Sequence, residues 1–183
     1  MGGSFNPAHQ GHLGLSLFAL EQLSLDEIWW LVSPQNPLKP VEDMAPLSQR
    51  LESARRMATH PQIHATDIEA VMGTRYTVDT LEQLAARYPA TRFVWLMGAD
   101  NLAQMDKWHQ WRDLFDRAAV AVIDRPGHTD AALSSTASQE MAAHRHMGPP
   151  QELAQQPLPA WAFLAGFHDP TSATALRQSG TRG

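Results

Sequence analysis

The chain has 183 residues, the length of one compact domain, and its 43% of hydrophobic residues can bury a core, which argues against a disordered tail. Nineteen acidic and 14 basic residues give a net charge of −5. This argues against nucleic acid as the main partner, because a phosphate backbone binds to a basic surface. Cysteine is absent, which excludes disulfides, thiolate nucleophiles and cysteine zinc sites and suits a reducing compartment.

No targeting segment is visible at the N-terminus, where Met1 is followed by neither a basic run nor an apolar stretch. The longest apolar stretches, near 93–99 and 118–123, fall far short of the ~20 residues that cross a bilayer. We therefore expect a cytoplasmic protein that does not bind to a membrane.

Helical and extended patterns alternate along the chain. Leucines spaced three and four residues apart predict a helix over 13–20, and the aromatic and β-branched run at 27–32 predicts a buried strand that contains Trp29 and Trp30. Both tryptophans are expected in the core. The next predicted elements are a helix over 48–59, a weaker strand over 62–68, a helix over 77–88, a strand over 92–97, a helix over 108–117 and a strand over 118–123.

The segment that follows is rich in Ala, Ser, Gln and Pro, and we interpret 128–159 as a variable helix and loop segment within a single domain spanning 1–183. A helix is expected over roughly 135–146, and a last strand over 161–164. Strands that alternate with helices predict an α/β fold, a Rossmann-like, doubly wound parallel sheet with helices on both faces. Such sheets bind ligands at the carboxyl ends of their strands.

The first residues, MGGSFNPAHQGH, carry the strongest chemical pattern. Glycines let the backbone approach a ligand closely, and the helix that follows directs its free N–H groups and its dipole at the loop, which favours an anion. His9 and His12 lie three residues apart with Gly11 between them, so both can face one bound group. This pattern favours a phosphate site made of glycines, amides and two imidazoles.

Other interpretations of this loop are weaker. No lysine stands in the pattern of a Walker loop, and G-x-G-x-x-G is absent. Two histidines at this spacing could bind zinc if a third ligand came from elsewhere. The simplest alternative is a turn with surface histidines, since Gly, Asn and Pro are common in turns.

The segment GGSFNPAHQGH resembles the first motif of the nucleotidylyltransferase superfamily, whose [HT]-x-G-H core falls on His9–His12. The segment SATALR, at 172–177, resembles the second motif of that superfamily. Asn6 and Ala173 depart from the commonest residues, Asp and Ser. Four further segments resemble the bacterial nicotinate-nucleotide adenylyltransferases: PQNPLK at 34–39, Tyr76-Thr77, Gly98-Ala99-Asp100 and Lys107-Trp108.

The resemblance implies a reaction of ATP with nicotinate mononucleotide that gives nicotinate adenine dinucleotide and pyrophosphate. The attacking phosphate has a second pKa of about 6, so it is largely ionised at pH 7 and needs no general base. Catalysis then depends on placing two polyanions in line and stabilising charge at the α-phosphate. Mg²⁺ is expected as the companion of ATP.

The resemblance also implies roles for individual residues. Catalysis is assigned to His9, His12 and Arg177. ATP binding is assigned to Gly2, Gly3, Ser4, Phe5, His9, His12, Gly98, Asp100, Ser172, Thr174 and Arg177. Acceptor binding is assigned to Asn36, Lys39, Tyr76, Thr77, Trp108, His109 and Arg125, and no residue is assigned to a metal.

Several alternatives stay open at this point. Trp108 beside Trp111 and Phe115 fits core packing as well as stacking on a pyridine ring, and Lys39 fits a solvated loop lysine. A preference for nicotinate implies backbone N–H donors near 76–77 and 108–109. The acceptor could instead be nicotinamide mononucleotide or phosphopantetheine, or the chain could bind nucleotide without catalysis, and homo-oligomer formation is left open.

A glycine loop that leads into a helix ordinarily follows a strand, yet only Met1 precedes Gly2. We therefore expect a truncated first strand, with several apolar residues belonging ahead of Gly2. Without them, strand edges would face a gap, and each buried unpaired backbone group costs ~1–3 kcal/mol. At the other end, the helix opened by 172–174 has only 178–183 in which to continue.

Overall fold

The computed structural model describes residues 1–34 and 44–167. The strands are β1 (Gly2–Gly3), β2 (Ile28–Val32), β3 (Ile63–Thr66), β4 (Val94–Gly98), β5 (Ala119–Ile123) and β6 (Trp161–Leu164). The α-helices are α1 (Gln10–Leu23), α2 (Leu47–Met57), α3 (Ile68–Met72), α4 (Thr77–Arg87), α5 (Ala99–Leu102), α6 (Trp111–Arg117), α7 (Thr129–Leu133) and α8 (Thr136–Glu140). Short 3₁₀ helices cover Met105–Lys107, Ala142–His144 and Pro150–Gln155.

The strands form two three-stranded sheets, with the orders β1-β2-β3 and β4-β5-β6. Every strand pair within them is parallel. The β-branched run AVAVI of β5 is buried along its whole length, as a strand covered on both faces must be. The predicted α/β fold with parallel strands is confirmed. Within the described ranges, no helix has the length and apolar character needed to cross a membrane.

The first strand is only two residues long. Gly2 and Gly3 of β1 pair with Leu31 and Val32 of β2. Met1 extends this ladder, because its carbonyl accepts from the Leu31 N–H at 2.9 Å. This short strand aims the glycine loop, as strand–loop–helix geometry requires. That further residues belong ahead of Gly2 stays a prediction.

A groove of about 660 Å³ lies beside β1 and is lined by both sheets. Met1, Ile28 and Leu31 line one side, and Trp95 of β4 lines the other. A Cβ atom on Gly2 would come within 2.7 Å of the Trp95 ring, so this position has no room for a side chain. The close approach of Gly2 to Trp95 brings the start of the glycine loop next to the second sheet.

The Met1 amine gives a testable pH dependence. It donates to the Trp29 carbonyl at 3.0 Å, and burial lowers its pKa from 8.0 to about 5, against the opposing charge of Glu69. The unfolded chain therefore binds more protons between pH 5 and 8, and stability falls as the pH falls. For the 183-residue chain produced with Met1 as its first residue, checked by intact mass, we expect most of about 4 kcal/mol of unfolding free energy to be lost between pH 8.5 and 5.5.

The matched control is the same chain with an acetylated N-terminus. Burial also raises the pKa of Glu69, so this carboxyl makes the stability fall as the pH rises above the ordinary pKa of a glutamate. The charged amine lowers the pKa of Glu69 in turn, so the difference between the two urea-unfolding series reports the amine together with its effect on Glu69. Identical pH dependence of both forms would contradict the prediction.

Several predicted elements differ from the observed ones. The helix expected over 135–146 is confirmed only in part. Helix α8 is short, and its N-terminus is capped by the Ser135 hydroxyl, which accepts from the Ser138 N–H at 3.2 Å. A separate 3₁₀ helix over Ala142–His144 follows it. The helix predicted over 108–117 begins only at Trp111, because Gln110 adopts a left-handed φ of 47°. Helices α3 and α5 were not predicted. Each has five residues or fewer, too short for a periodic pattern.

The two adjacent tryptophans of β2 have different environments. Successive side chains of a strand point to opposite faces. Trp30 is completely buried, whereas Trp29 is half-buried and its indole N–H donates to Glu27 at 3.0 Å. The prediction that both lie in the core is confirmed for Trp30, whereas Trp29 packs against the core from its edge.

Candidate functional site

The loop between β1 and α1 is shaped by a buried anchor. Phe5 is only 1% exposed, and its ring stacks on Trp30 with centroids 5.2 Å apart. Its backbone has a φ of 45°, a left-handed conformation that costs a non-glycine residue roughly 1–2 kcal/mol. Strain of this kind persists where packing enforces it, and it is typical of functional loops. The loop is thus held in one shape by the aromatic core beneath it.

The two histidines of the loop lie together, as the spacing predicts. His9 is buried at the N-cap of α1, and its ring centroid is 3.8 Å from that of His12. The His9 N–H donates to His12 Nδ1 at 3.2 Å. Because Nδ1 accepts, a neutral His12 carries its proton on Nε2, which makes Nε2 a hydrogen-bond donor.

The surroundings of this pair favour an anion. The first turn of α1 contains no acidic residue, so the positive end of its dipole is not offset there. The His12 ring packs on Phe5, with centroids 4.7 Å apart, which fixes its direction. In the described part of the chain, no three His, Asp or Glu side chains are grouped to hold a metal, so the zinc alternative has no third ligand there. The alternative of a surface turn is also disfavoured, since His9 is buried.

A second group lies at the carboxyl ends of β4 and β5. Arg125 Nη1 is 3.2 Å from Asp100 Oδ1, and both side chains are partly buried. A Cβ atom on Gly98 would approach Asp100 Oδ1 to 2.5 Å and Arg125 Cδ to 2.8 Å, so the ion pair leaves room only for glycine. The structure therefore joins two residues that were assigned separately, Asp100 to ATP and Arg125 to the acceptor.

A third group forms where α4 begins. The rings of Tyr76 and His109 stack with centroids 4.2 Å apart and an interplanar angle of 28°. Thr77 is the first residue of α4, and its N–H is one of the groups that have no partner within the helix. Trp108 is half-buried and packs against the core around Trp95 and Leu84, so its stacking on a ligand stays a prediction. The backbone N–H of Trp108 donates to the Met105 carbonyl at 2.9 Å. This N–H is therefore not available as one of the expected donors to a nicotinate.

Five predicted site residues lie outside the described residues: Asn36, Lys39, Ser172, Thr174 and Arg177. Their assigned roles stay predictions.

Sequence reasoning missed a buried arginine. Arg50 of α2 is 2% exposed and donates four hydrogen bonds, all to backbone carbonyls. Its Nη1 donates to Ser4 at 2.7 Å and to Ser33 at 2.8 Å, its Nη2 to Pro34 at 3.0 Å and its Nε to Ala45 at 2.8 Å. One signal was available, because the spacing places Arg50 on the apolar face of its helix with Leu47, Leu51 and Ala54.

Sequence reasoning also missed a buried carboxylate. Glu69 of α3 accepts from the hydroxyls of Ser33 at 2.9 Å and Thr80 at 3.3 Å. Burial raises its pKa, and the two hydrogen bonds oppose that rise. No sequence pattern indicated this residue, because its partners come from the end of β2 and from α4.

Comparison with known proteins places this chain in a family. Residues 1–179 match the family described as Cytidylyltransferase-like. The chain is 50% identical over 177 residues to a "Probable nicotinate-nucleotide adenylyltransferase" of Methylorubrum extorquens, covering 96% of each chain. It is 50% identical over 181 residues to the protein of the same name from Parvibaculum lavamentivorans, covering 98% of this chain and 90% of the relative.

A solved structure is similar in fold. The nicotinic acid mononucleotide adenylyltransferase of Plasmodium falciparum, complexed with NaAD, superimposes with a TM-score of 0.68 at 16% identity. The likeness covers 97% of this chain and 80% of that one. At this identity it concerns the fold, and it confirms the predicted Rossmann-like architecture.

Proposed function

Because the chain belongs to the nicotinate-nucleotide adenylyltransferases of the cytidylyltransferase-like family, we propose that it joins ATP and nicotinate mononucleotide. A phosphate oxygen of the mononucleotide attacks the α-phosphorus of ATP. The bond from that phosphorus to the oxygen bridging to the β-phosphate breaks, which yields nicotinate adenine dinucleotide and pyrophosphate. The observation that carries this proposal is the paired His9 and His12 at the start of α1, directly after the glycine strand.

The histidine loop takes the ATP phosphates in this proposal. His12 Nε2–H and the first N–H groups of α1 are donors that need no reorganisation, because packing and the His9 N–H already hold the ring. Preorganised donors at the position where charge develops are usually the largest contribution to catalysis. The attacking phosphate is already ionised, so the absence of a general base from the assigned residues is consistent with the chemistry.

In this proposal the acceptor, nicotinate mononucleotide, binds to the second and third groups of residues described above. The stacked Tyr76–His109 pair and Trp108 flank the pyridine ring, and the Thr77 N–H at the start of α4 donates to its carboxylate. Asp100 orients Arg125 at the carboxyl end of β5, where the acceptor phosphate is assigned. The whole chain, 1–183, acts as one nucleotidylyltransferase domain in which 128–159 is the variable segment.

Magnesium enters with the nucleotide. The described ranges contain no group of three His, Asp or Glu side chains that could hold a metal by themselves. In this proposal Mg²⁺ is a part of the magnesium–ATP substrate, bound chiefly through phosphate oxygens and water. No step of this proposal is routed through the ion.

A direct assay tests the proposal. Purified protein is incubated with magnesium–ATP and, in separate reactions, nicotinate mononucleotide, nicotinamide mononucleotide or phosphopantetheine, and pyrophosphate and adenylylated product are measured. We expect the highest kcat/KM with nicotinate mononucleotide. A higher value with either other acceptor would identify a sister transferase, and no product with any of the three would indicate nucleotide binding without catalysis.

Replacement of Trp108 tests the acceptor assignment. We expect Trp108→Ala to raise the KM for nicotinate mononucleotide about tenfold or more with little change for ATP, because stacking on a base is worth ~1–3 kcal/mol. Trp29→Ala is the matched control, since Trp29 is also half-buried and packs against the same core. An equal rise of both KM values in Trp108→Ala, or a loss of stability alone, would make Trp108 a packing residue.

A further inference from the structure

Arg50 and Glu69 belong to one continuous polar network. Arg50 Nη1 donates at once to the Ser4 carbonyl in the loop assigned to ATP and to the Ser33 carbonyl at the end of β2. The Ser33 hydroxyl donates to Glu69, and the other carboxylate oxygen of Glu69 accepts from Thr80. Thr80 lies one turn into α4, the helix whose first residues are assigned to the acceptor, and its hydroxyl also reaches the Tyr76 carbonyl at 3.1 Å.

The first three links of this network are short and partly buried. The last link, from Thr80 to Glu69, is buried but longer, and the Thr80 hydroxyl also lies 2.8 Å from the Thr74 hydroxyl. The four distances from Ser4 through Arg50, Ser33 and Glu69 to Thr80 are 2.7, 2.8, 2.9 and 3.3 Å. Arg50, Glu69 and Thr80 are all buried. Hydrogen bonds made by charged groups in such surroundings are stronger than neutral ones, and breaking one leaves a buried group unsatisfied.

The side chain of Arg50 is suited to connecting separate segments of the backbone, and not only to filling space in the core. A guanidinium presents donors in a rigid planar fork, so one arginine can hold several carbonyls of different segments in fixed relation. A lysine ammonium presents its donors from one point and cannot span the Ser4 and Pro34 carbonyls on separate nitrogens. In the part of the chain that the structure describes, no carboxylate forms an ion pair with Arg50, and all four of its hydrogen bonds go to backbone carbonyls.

We propose that Arg50, Ser33 and Glu69 are positioning residues that couple the ATP loop to the acceptor helix α4, so that each bound substrate raises the affinity of the site for the other. This inference rests on the proposed function. The hydrogen bonds tie the position of the ATP loop to the position of α4, and a coupling free energy between two sites acts equally in both directions.

The test measures the coupling directly. The Kd of nicotinate mononucleotide is determined by calorimetry without and with a saturating, non-reacting ATP analogue that has a methylene bridge between the α- and β-phosphates. For the wild-type protein we expect at least fivefold tighter binding with the analogue present. Two variants interrupt the network, Arg50→Lys at the ATP side and Ser33→Ala at the link to Glu69, and in both we expect this ratio to fall below two.

Controls separate coupling from stability. Arg55→Lys changes an exposed arginine of the same helix and is expected to keep the wild-type ratio. Ser33→Ala leaves its backbone carbonyl, and with it the bond from Arg50, in place, so it keeps the test decisive if Arg50→Lys does not fold. Thermal unfolding confirms that each compared variant is folded at the temperature of the titration.

The outcomes are distinct. Loss of coupling in Ser33→Ala, with Arg55→Lys unchanged, supports the network. An unchanged ratio in Ser33→Ala, or a wild-type ratio of one, overturns it while leaving the adenylyltransferase activity intact. Failure of the wild-type protein to bind nicotinate mononucleotide and to form product would instead overturn the proposed function, and the coupling with it.

Discussion

Replacing His12 by alanine is expected to lower kcat about 100-fold or more while the protein stays folded, as the loss of one oxyanion-stabilising donor does elsewhere. The His9 N–H fixes the ring through Nδ1, so a neutral His12 has Nε2–H as its donor. The α-phosphate gains charge only as the new bond forms, so this donor acts chiefly in the transition state. The measurement is steady-state turnover of magnesium–ATP with nicotinate mononucleotide at saturation.

Two further variants make this result specific. His144→Ala removes an exposed histidine from the variable segment and should leave kcat unchanged. His12→Gln keeps an N–H donor on a side chain of similar reach, so we expect it to lose less activity than His12→Ala. Near-normal turnover of His12→Ala would show that the histidine only shapes the turn.

The largest effect on stability is expected for Trp30→Ala. Trp30 is fully buried in β2, carries the ring of Phe5, and donates through its indole N–H to the Ser16 hydroxyl at 2.8 Å. Alanine would leave a cavity and take a partner from that buried hydroxyl. Substitutions of this kind cost ~3–5 kcal/mol of unfolding free energy, which urea unfolding would measure as a lower midpoint.

Trp30→Ala should also affect activity. Phe5 rests on Trp30, and His12 packs on Phe5, so the histidine donor loses its support together with the core. Trp29→Ala is the matched control on the neighbouring position, where the half-buried indole should cost far less stability. Equal losses for the two tryptophans would show that burial does not decide the effect.

The sequence by itself indicated much of this protein because its patterns are local. The alternation of apolar periods predicted parallel strands and helices with bounds close to the observed ones, β6 (Trp161–Leu164) among them. The H-x-G-H spacing predicted that His9 and His12 would face one site, and their rings lie 3.8 Å apart. Side chains three residues apart at the start of a helix lie close together because of the local helix geometry, so this contact does not depend on the rest of the fold.

The sequence failed where the pattern was short or the neighbours were remote. The pentapeptide helices α3 and α8 carry too few residues for a period, and the adjacent Trp29 and Trp30 could be distinguished only by the face each one takes. Arg50 was visible in the sequence as a charged residue on the otherwise apolar face of α2. An arginine there is tolerated only when acceptors surround it, and those acceptors belong to other segments.

The composition of the site was therefore decided at two levels. Motif spacing predicted that imidazoles, glycines and a helix N-terminus would come together at the carboxyl end of a strand, and their role as an anion site stays a prediction. Only tertiary structure decided that Tyr76 stacks on His109, that Asp100 pairs with Arg125 and that the Trp108 amide is already occupied. Hydrogen bonds and ring contacts between distant segments depend on how the sheets and helices pack. The local sequence around each residue does not determine that packing, so it cannot predict these contacts.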